Sequence, residues 1–285
     1  MKRSEKWGRD LAICWTRMVG PSRPTISELA IYTRYIRILQ SKLKRRLKIL
    51  ILGSTPEFRD WAFEENMIVT VMDYSKDYHK TISREIRHKC IVENEEKYEK
   101  FVCKNWLELN DINEYDVIIG DLVIGNISPE KLEEFIFKIS NALKKDGVFL
   151  GKSFFVPKNY KIISPKKLLE NYYNGPPYHP YSALAFDLTM FSIDNNNMLS
   201  FKTQYEELAK LRNEGLIKEE TMQYFENIGW DNEMKFQFYV PNADEYEKLV
   251  LKYLKIFCVE YGNEIYSNKF PLYIITNKKS EIFRR

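Results

Sequence analysis

The chain has 285 residues, of which 44% are hydrophobic, so it can bury the core of one large domain or of one domain with a substantial insertion. It has no run of 18 apolar residues, and residues 1–18 mix charged with apolar side chains; a membrane span and a signal peptide are therefore not predicted, and a soluble cytoplasmic protein is expected. The net charge of +4 divides into +10 over residues 1–48 and −6 over the remainder, so an anionic partner would meet the N-terminal part.

Cysteine and histidine are scarce and do not cluster. The four cysteines have no paired spacing and the chain has only three histidines, so a metal site is not predicted. Free, buried thiols are expected at Cys14, Cys90, Cys103 and Cys258.

Residues 1–46 predict two helical segments separated by a Gly-Pro turn at residues 20–21. The second segment begins near Thr25 or Ser27, either of which can cap it. Apolar residues recur at helical spacing and indicate one buried face, formed by Leu29, Tyr32, Ile36 and Leu39.

A basic run from Lys42 to Arg46 ends this N-terminal part. Lysine and arginine side chains at this density can bind phosphates, which makes a nucleic acid the alternative partner. A solvated helix end, or a contact with the acidic remainder of the chain, explains the same run without a nucleic acid.

A β-α-β unit begins with a short apolar run that predicts a parallel strand buried on both faces; its apolar residues are Leu47, Ile49, Leu50, Ile51 and Leu52. Gly53 ends this strand, and Ser54 or Thr55 is expected to cap the following helix. A second apolar run at residues 67–72 predicts the next strand.

The carboxyl ends of these two strands are the predicted ligand site, because open parallel sheets bind their ligands there. Asp73 lies about 20 residues beyond the glycine, where a carboxylate can accept hydrogen bonds from both hydroxyls of a ribose. Only one of the three glycines of the dinucleotide fingerprint is present, and there is no phosphate-cradling GxxxxGK[ST] loop. A nucleoside cofactor without phosphate is therefore favoured over NAD.

The segment LGSTPEFRDWA followed by VTVMDYS resembles motifs I and II of the class I S-adenosylmethionine-dependent methyltransferases, in a branch whose glycine loop reads G-x-T-P-E. The resemblance spans residues 47 to about 156 and resumes from about 242 to 278. It implies S-adenosyl-L-methionine as the cofactor and S-adenosyl-L-homocysteine as the product. It also implies a set of cofactor-binding residues: Gly53, Ser54, Thr55, Pro56, Asp73, Tyr74, Asn105, Trp106 and Asp121.

Asn105 and Trp106 follow a short predicted strand at residues 101–103. In the resembling enzymes this position lies near the adenine, where an amide can accept from the exocyclic amine and an indole can stack on the base. A loop residue followed by a core tryptophan explains the same two residues equally well.

Asp121 ends the predicted fourth strand, where the resembling enzymes bring the methyl donor and the acceptor together. It is a candidate catalytic base or acceptor-orienting residue, or only a cap for the turn at residues 126–128. The tetrad DPPY or NPPF is absent, which argues against methylation of a nucleobase nitrogen.

The remaining core elements predict a Rossmann-like α/β fold. An amphipathic helix is expected from Pro129 to Leu143, ended by residues 144–147, with VFLGKSFFV as the fifth strand. Strands alternating with helices predict a doubly wound, mostly parallel sheet on physical grounds. The resemblance adds a helix at about 242–254 and two terminal strands, the last of them antiparallel.

Residues 157–234 depart from this plan and are predicted to form a helical and aromatic substrate lid, inserted between the core segments 47–156 and 235–285. Helices are expected at 165–173 and 203–228. A turn-rich aromatic loop is expected at residues 171–186.

The candidate chemical groups of the lid are Tyr172, Tyr173, Tyr178, His179 and Tyr181. His179 is the candidate general base, whereas His79 and His88 are predicted at polar helix positions. The resemblance implies that the N-terminal cap, residues 1–46, lies over the cofactor crevice. Its residues that would touch cofactor or substrate, or merely pack the segment onto the sheet, are Trp7, Trp15, Arg23 and Tyr32.

The resemblance implies transfer of a methyl group by direct displacement, in which positioning and desolvation supply much of the catalysis. A small molecule or a peptide is the expected acceptor, because the lid is aromatic and the base-methylating tetrad is missing. The alternatives are an RNA methyltransferase that uses the basic run, and a module that binds the cofactor without turnover. The sequence does not indicate an oligomeric state.

Overall fold

The computed structural model describes residues 12, 15–156, 164–174, 181–227 and 237–283. We number the strands of these residues β1 (Lys48–Leu52), β2 (Ile68–Asp73), β3 (Glu99–Cys103), β4 (Tyr115–Asp121), β5 (Leu143–Lys152), β6 (Met198–Ser200), β7 (Gln237–Tyr239), β8 (Leu254–Glu260) and β9 (Leu272–Asn277). The α-helices are α1 (Ile26–Leu43), α2 (Pro56–Glu64), α3 (Lys76–Ile82), α4 (Lys89–Glu93), α5 (Glu95–Tyr98), α6 (Leu132–Ala142), α7 (Pro165–Tyr173), α8 (Tyr181–Thr189), α9 (Phe201–Asn213), α10 (Glu219–Asn227) and α11 (Ala243–Tyr253).

Seven strands form one sheet in the order β3-β2-β1-β4-β5-β9-β8. The first five are parallel to one another, and β9 runs antiparallel to both of its neighbours. The predicted fold class, a Rossmann-like, mostly parallel sheet with an antiparallel last strand, is therefore confirmed. The chain order reverses direction at β1, with β2 on one side and β4 on the other, which is where such sheets open a ligand crevice.

Apolar residues cover both faces of the sheet. On one face, α1 and α2 pack through residues such as Ile36, Leu39 and Phe58 onto β1 and β2. On the other face, α6 and α11 pack through residues such as Phe135 and Val250 onto β1, β4 and β5. Because both faces are buried at the centre of the sheet, β1 and β4 contain short continuous apolar runs.

The N-terminal helix α1 begins as predicted at Thr25. The Thr25 side chain accepts a hydrogen bond from the Glu28 amide, and the Glu28 side chain accepts one from the Thr25 amide. This capping box satisfies two amides that a helix start leaves open. The predicted apolar side of the helix is confirmed at Tyr32, Ile36 and Leu39, which are buried.

Three predicted details are wrong. Thr55 occupies the cap position of α2 but makes no side-chain capping bond, and the Ser54 hydroxyl bonds a histidine instead. Residues 144–147 do not end a helix, because β5 already begins at Leu143. The expected aromatic loop at 171–186 is in part the helix α8.

The inserted segment forms a subdomain with an apolar cluster of its own, made by residues of α7 to α10 such as Leu184, Leu208 and Met222. Strand β7 was assigned to the core from the sequence, but it pairs with β6 of the insertion and not with the large sheet. In the described part of the chain, no helix combines the length and the apolar character that crossing a bilayer requires.

Candidate active site at the carboxyl ends of the strands

The turn after β1 is built around Gly53 and Asp73. Gly53 has a φ of +90°, which favours glycine, and its amide donates to the carbonyl of Met72 over 2.9 Å. The Ser54 amide donates to Asp73 Oδ2 over 3.1 Å, and the Ser75 amide donates to Oδ1 over 3.0 Å. Asp73 therefore fastens the β1 turn to the end of β2.

The Asp73 carboxyl is buried, with 4% of the residue exposed. Burial raises its pKa to about 6, although the hydrogen bonds that it accepts from backbone amides favour the charged form. The Tyr74 amide and the Ser54 hydroxyl also hydrogen-bond to this carboxyl. Asp73 is therefore an acceptor at the ligand edge whose oxygens the turn's own donors already share.

Trp106 lies against this turn. Its indole Nε1 donates to the Met72 carbonyl over 2.8 Å, and its Cζ2 would lie 3.6 Å from a Cβ placed on Gly53. Asn105 is exposed at the rim, where its side chain accepts from the Leu107 amide, and Tyr74 is 44% exposed. The structure thus brings Trp106 to the glycine turn, while the adenine roles of Asn105 and Trp106 stay predictions.

A buried lysine at the end of β5 joins three parts of the chain. Lys152 Nζ lies 3.2 Å from Asp121 Oδ1 at the end of β4 and 3.0 Å from Glu28 Oε2 on α1. It also donates to the carbonyls of Pro21, over 2.9 Å, and of Arg23, over 3.2 Å. Lys152 was not among the predicted site residues, although a lysine at the end of an apolar strand is a signal that the sequence contains.

The charges of this group influence one another. Burial raises the pKa of Asp121, the neighbouring Glu28 carboxylate adds to this, and Lys152 opposes it. Burial would lower the pKa of Lys152, but the Asp121 and Glu28 carboxylates outweigh burial and raise it. Lys152 is therefore the cation that compensates these two buried carboxyls.

The N-terminal segment crosses the crevice at the start of α2. Arg23 Nε donates to Glu57 Oε1 over 2.7 Å, and its guanidinium lies 5.5 Å from the centre of the Trp15 ring. Trp15 Nε1 is 3.4 Å from the same Glu57 oxygen. Trp15 and Arg23 therefore lie at this end of the sheet, and their contact with a cofactor or substrate stays a prediction; Trp7 lies outside the described residues.

Tyr32 is buried in the core, where it packs against Phe58 with a ring separation of 6.2 Å. Its pKa is raised well above the ordinary value, first by burial and then by Glu28 and Asp121. Its hydroxyl therefore lies near the carboxyls of Glu28 and Asp121.

Three buried side-chain oxygens near the crevice make no hydrogen bond within the part of the chain that the structure describes: Glu28 Oε1, Tyr32 OH and Glu57 Oε2. Buried polar atoms without partners are rare, so they point to a ligand or to ordered water. Two of the three belong to carboxyls, which accept hydrogen bonds and attract positive charge. This end of the crevice suits a cationic ligand.

His79 is not the polar helix position that the sequence predicts. It is 1% exposed, its ring stacks on Phe101 with a centroid distance of 3.9 Å, and its Nδ1 lies 2.9 Å from Ser54 Oγ. Burial lowers its pKa to about 4, helped by Arg59 and opposed by Glu95. The stretch after Ser75 reads as polar in the sequence, which is why the burial of His79 was missed.

His79, Glu95 and Glu99 lie close enough to hold a metal ion, with ligand atoms within 4.8 Å of one another. Arg59 forms an ion pair with both oxygens of Glu99, and all of its contacts there are buried. A cation would compete with this guanidinium for the same carboxylate. The group is therefore better explained as a buried ion-pair network.

The insertion attaches beside the ends of β4 and β5. Phe238 of β7 fills the space where a side chain on Gly125, just after β4, would lie. Phe186 of α8 packs on Phe154, just after β5, with a centroid distance of 5.0 Å, and Asp187 pairs with Lys269. These contacts place part of the insertion next to the strand ends.

The candidate lid residues are only partly described. Tyr173 hydrogen-bonds Thr221 Oγ1 over 2.9 Å and accepts from the Lys218 amide, and Tyr172 packs in the same apolar cluster of the insertion. These two tyrosines therefore serve the core of the insertion. Tyr178 and His179 lie outside the described residues; Tyr181 is the first residue of α8.

The basic run lies at the opposite edge of the sheet, because it precedes the first residue of β1. Arg45 makes two hydrogen bonds to the buried Asp116 carboxylate, over 2.6 and 2.7 Å, and Arg46 donates to the carbonyls of Asn66 and Met67. The predicted contact with the acidic remainder is observed for Arg45.

The cysteine prediction is wrong in one respect. Cys90, Cys103 and Cys258 are free, as expected, but Cys103 is exposed and the other two are only partly buried. Cys14 lies outside the described residues.

One curated protein resembles the chain in sequence. It is a carboxy-S-adenosyl-L-methionine synthase from Nautilia profundicola, 27% identical over 133 residues, which are 47% of this chain and 53% of that protein. The chain thus spans about half the length of this relative. No protein-family profile matches the chain.

Solved structures resemble it over most of its length. A magnesium protoporphyrin IX methyltransferase from Synechocystis PCC 6803 with bound S-adenosylhomocysteine has a TM-score of 0.53 and 10% identity, covering 96% of this chain and 97% of that one. A 1,6-didemethyltoxoflavin-N1-methyltransferase from Burkholderia thailandensis has a TM-score of 0.50 and 11% identity, covering 87% and 77%. A Rhodobacter sphaeroides protein named as a Zn-dependent alcohol dehydrogenase has a TM-score of 0.55 and 13% identity, covering 95% of this chain and 98% of that one.

Identities this low establish shared architecture and leave the activity open, as the differing names of these proteins illustrate. The strand order, the antiparallel β9 and the two layers of helices agree with the methyltransferase structures. The chain has the Rossmann-like fold of the class I S-adenosylmethionine-dependent methyltransferases.

Proposed function

We propose that the protein is an S-adenosylmethionine-dependent methyltransferase. The observation that carries this proposal is the meeting of the glycine turn, the Asp73 carboxyl, the unpartnered oxygen of Glu57 and the Asp121 carboxyl at the carboxyl ends of β1, β2 and β4. The same edge is the ligand crevice of open parallel sheets. The relatives supply support of a second kind, since the Synechocystis structure holds S-adenosylhomocysteine.

The residues of the crevice fit the charges of this cofactor. Its ammonium and sulfonium groups are cationic, and the unpartnered oxygens of Glu28 and Glu57 are acceptors in a buried setting. Asp73 ends β2 at the position where a carboxylate binds ribose hydroxyls, and Arg23 is a guanidinium suited to a carboxylate. When bound, S-adenosylmethionine supplies an activated methyl group on sulfur.

The chain's own groups then orient the reaction and exclude water. The N-terminal segment and the insertion both pack beside the strand ends, through Arg23 and Phe238 among others. Asp121, with a raised pKa, is a group at this edge that can hold a proton taken from an acceptor. His179 stays in the proposal as a second candidate base, on sequence grounds alone.

We further propose a small molecule or a peptide as the acceptor. The insertion beside β4 and β5 contributes aromatic residues such as Phe186 and Phe238, which suit the walls of a small pocket. The basic run is far less suited to deliver RNA to this site, because it lies at the other edge of the sheet and Arg45 is bound to Asp116.

Calorimetric titration of the purified protein with S-adenosylhomocysteine tests the cofactor assignment. We expect binding at one site per chain, and failure to bind at millimolar ligand would overturn the proposal. Incubation with methyl-labelled S-adenosylmethionine and pools of small molecules or peptides then tests turnover. Cofactor binding without transfer to any pool would favour a non-catalytic binding module.

A further inference from the structure

A chain of buried hydrogen bonds leads from the cofactor turn to α3, and Ser54 is its first link. Ser54 is fully buried, with 0% of the residue exposed. Its amide donates to Asp73 Oδ2 over 3.1 Å, while its hydroxyl lies 2.9 Å from His79 Nδ1. One residue thus connects the carboxyl of the ribose site with a histidine on a different element.

The surroundings of His79 determine which ring nitrogen carries the proton. Its Nε2 is hydrogen-bonded to Glu95 Oε1, and a carboxylate requires a donor. In a neutral imidazole the proton therefore sits on Nε2, which leaves Nδ1 as an acceptor for the Ser54 hydroxyl. Stacking on Phe101 at 3.9 Å fixes the plane of the ring.

The backbone that carries His79 is held as well. Ser83 Oγ donates to the His79 carbonyl over 2.6 Å and accepts from Arg59 Nη1 over 2.7 Å. Arg59 is in turn paired with Glu99 at the start of β3. The ring and the main chain of His79 are thus fixed from both sides.

Ser54, His79 and Glu95 are hydrogen-bonded in the same succession as the serine, histidine and carboxylate of a nucleophilic triad. A nucleophile must reach its substrate, but Ser54 is fully buried and its amide is bound to Asp73. The same burial suits a residue that holds a turn in shape. A positioning role therefore explains the geometry better than hydrolysis.

We propose that His79 is a positioning residue of the cofactor site: through the Ser54 hydroxyl it holds the β1 turn, and through the Ser54 amide the Asp73 carboxyl, in the form that binds the cofactor. The inference rests on the proposed function. It assigns a role in cofactor affinity to a histidine that lies behind the crevice and touches no ligand.

The test is the affinity for S-adenosylhomocysteine, measured by calorimetry at neutral pH on four variants. Ser54→Ala removes one hydroxyl, His79→Phe keeps the stacking ring without its nitrogens, and the third variant combines both. Both single changes remove the hydrogen bond between Ser54 and His79, and Ser54→Ala also removes the hydroxyl's hydrogen bond to Asp73. We therefore expect His79→Phe to weaken binding about tenfold and Ser54→Ala at least as much, while the double variant should bind no more weakly than Ser54→Ala.

The fourth variant, His79→Asn, separates positioning from stability. Its amide oxygen can take the place of Nδ1 and accept from Ser54, although the stacking on Phe101 is lost. We expect His79→Asn to bind S-adenosylhomocysteine within about threefold of the affinity of the unsubstituted protein. This should hold even if His79→Asn melts at a lower temperature than His79→Phe. The matched control is His88→Phe, which should leave the affinity unchanged. His88 is half-exposed, and its Nε2 contacts the Glu64 carboxylate.

Near-ultraviolet circular dichroism confirms that each variant is folded; should His79→Phe fail to fold, Ser54→Ala carries the test. Unaltered affinity in Ser54→Ala and His79→Phe, with binding by the unsubstituted protein, overturns the role of His79 alone. Additive losses in the double variant overturn it as well. Absence of binding by the unsubstituted protein overturns the proposed function and this inference with it.

Discussion

Lys152 Nζ lies 3.0 Å from Glu28 Oε2, although the two residues are 124 positions apart and belong to the fifth strand and the N-terminal helix. Both side chains are almost completely buried. Lys152 also binds two carbonyls of the segment that leads into the helix. This lysine therefore attaches the N-terminal segment to the carboxyl edge of the sheet.

Removing this lysine should destabilise the fold strongly. Lys152→Met leaves the Glu28 and Asp121 carboxyls buried without their cation, so we expect the free energy of unfolding to fall by about 3–5 kcal/mol. Lys131→Met, which breaks an exposed pair with Glu134, should change it by less than about 1 kcal/mol. Urea unfolding measures both, and similar losses would contradict the role of Lys152.

Asp73 should contribute to cofactor affinity. Asp73→Asn retains one acceptor oxygen for the turn but loses the charge and the acceptor capacity that the ribose hydroxyls need. We expect the dissociation constant of S-adenosylhomocysteine to rise at least tenfold, with an unchanged near-ultraviolet spectrum. Equal affinity of the two proteins would refute the ribose assignment.

The same variant isolates a pH dependence. The pKa of Asp73 is raised by burial from 3.8 to about 6, so the folded state binds its proton more tightly than the unfolded state does. The stability that this proton contributes is present below pH 3.8 and is lost as the pH rises through about 6. The unfolding free energy of the unsubstituted protein should therefore fall relative to Asp73→Asn across this window; a constant difference would contradict it.

Arg23 should control access to the crevice. Arg23→Gln loses the ion pair with Glu57, and this loosens the segment that lies across the β1 turn. Because Trp15 packs in the same place, stopped-flow tryptophan fluorescence can follow S-adenosylhomocysteine binding, and we expect faster association. The control Arg37→Gln breaks an exposed pair with Glu65 and should leave the rate unchanged. Equal rates in all three proteins would argue against a covering role.

The opposite edge of the sheet should affect stability without affecting the ligand. Arg45→Gln removes two hydrogen bonds from the buried Asp116 carboxylate, although Lys144 and the Lys48 amide remain bound to it. We expect a loss of about 1–3 kcal/mol in unfolding free energy. Affinity for S-adenosylhomocysteine should stay the same; a marked loss would place the cofactor at this edge.

Local pattern was sufficient to predict the alternation of strands and helices. Residues 49–52 are apolar at each position because β1 is covered on both faces, and Asp73 is the last residue of β2. Parallel strands bring their carboxyl ends to one edge, so the order of the elements predicts that residues at these strand ends lie close together. The order of the elements therefore assigns Asp73 and Asp121 to that edge.

Partners of buried polar groups could not be predicted in this way. His79 lies in a stretch that reads as polar, because its neighbours Lys76, Asp77 and Lys80 are charged and exposed. Its burial depends on Phe101 and Ser54, which two other elements bring to it. Hydrophobic periodicity carries no information about such pairings.

By itself the sequence determined the sheet, its direction and the edge at which a ligand can bind, since these follow from apolar runs, turn residues and chain order. The tertiary structure alone decided that Lys152 pairs with Glu28 and that His79 supports Ser54. The physical reason is that a buried charge or imidazole is stable only with a partner, and the path of the whole chain decides which side chain that partner is.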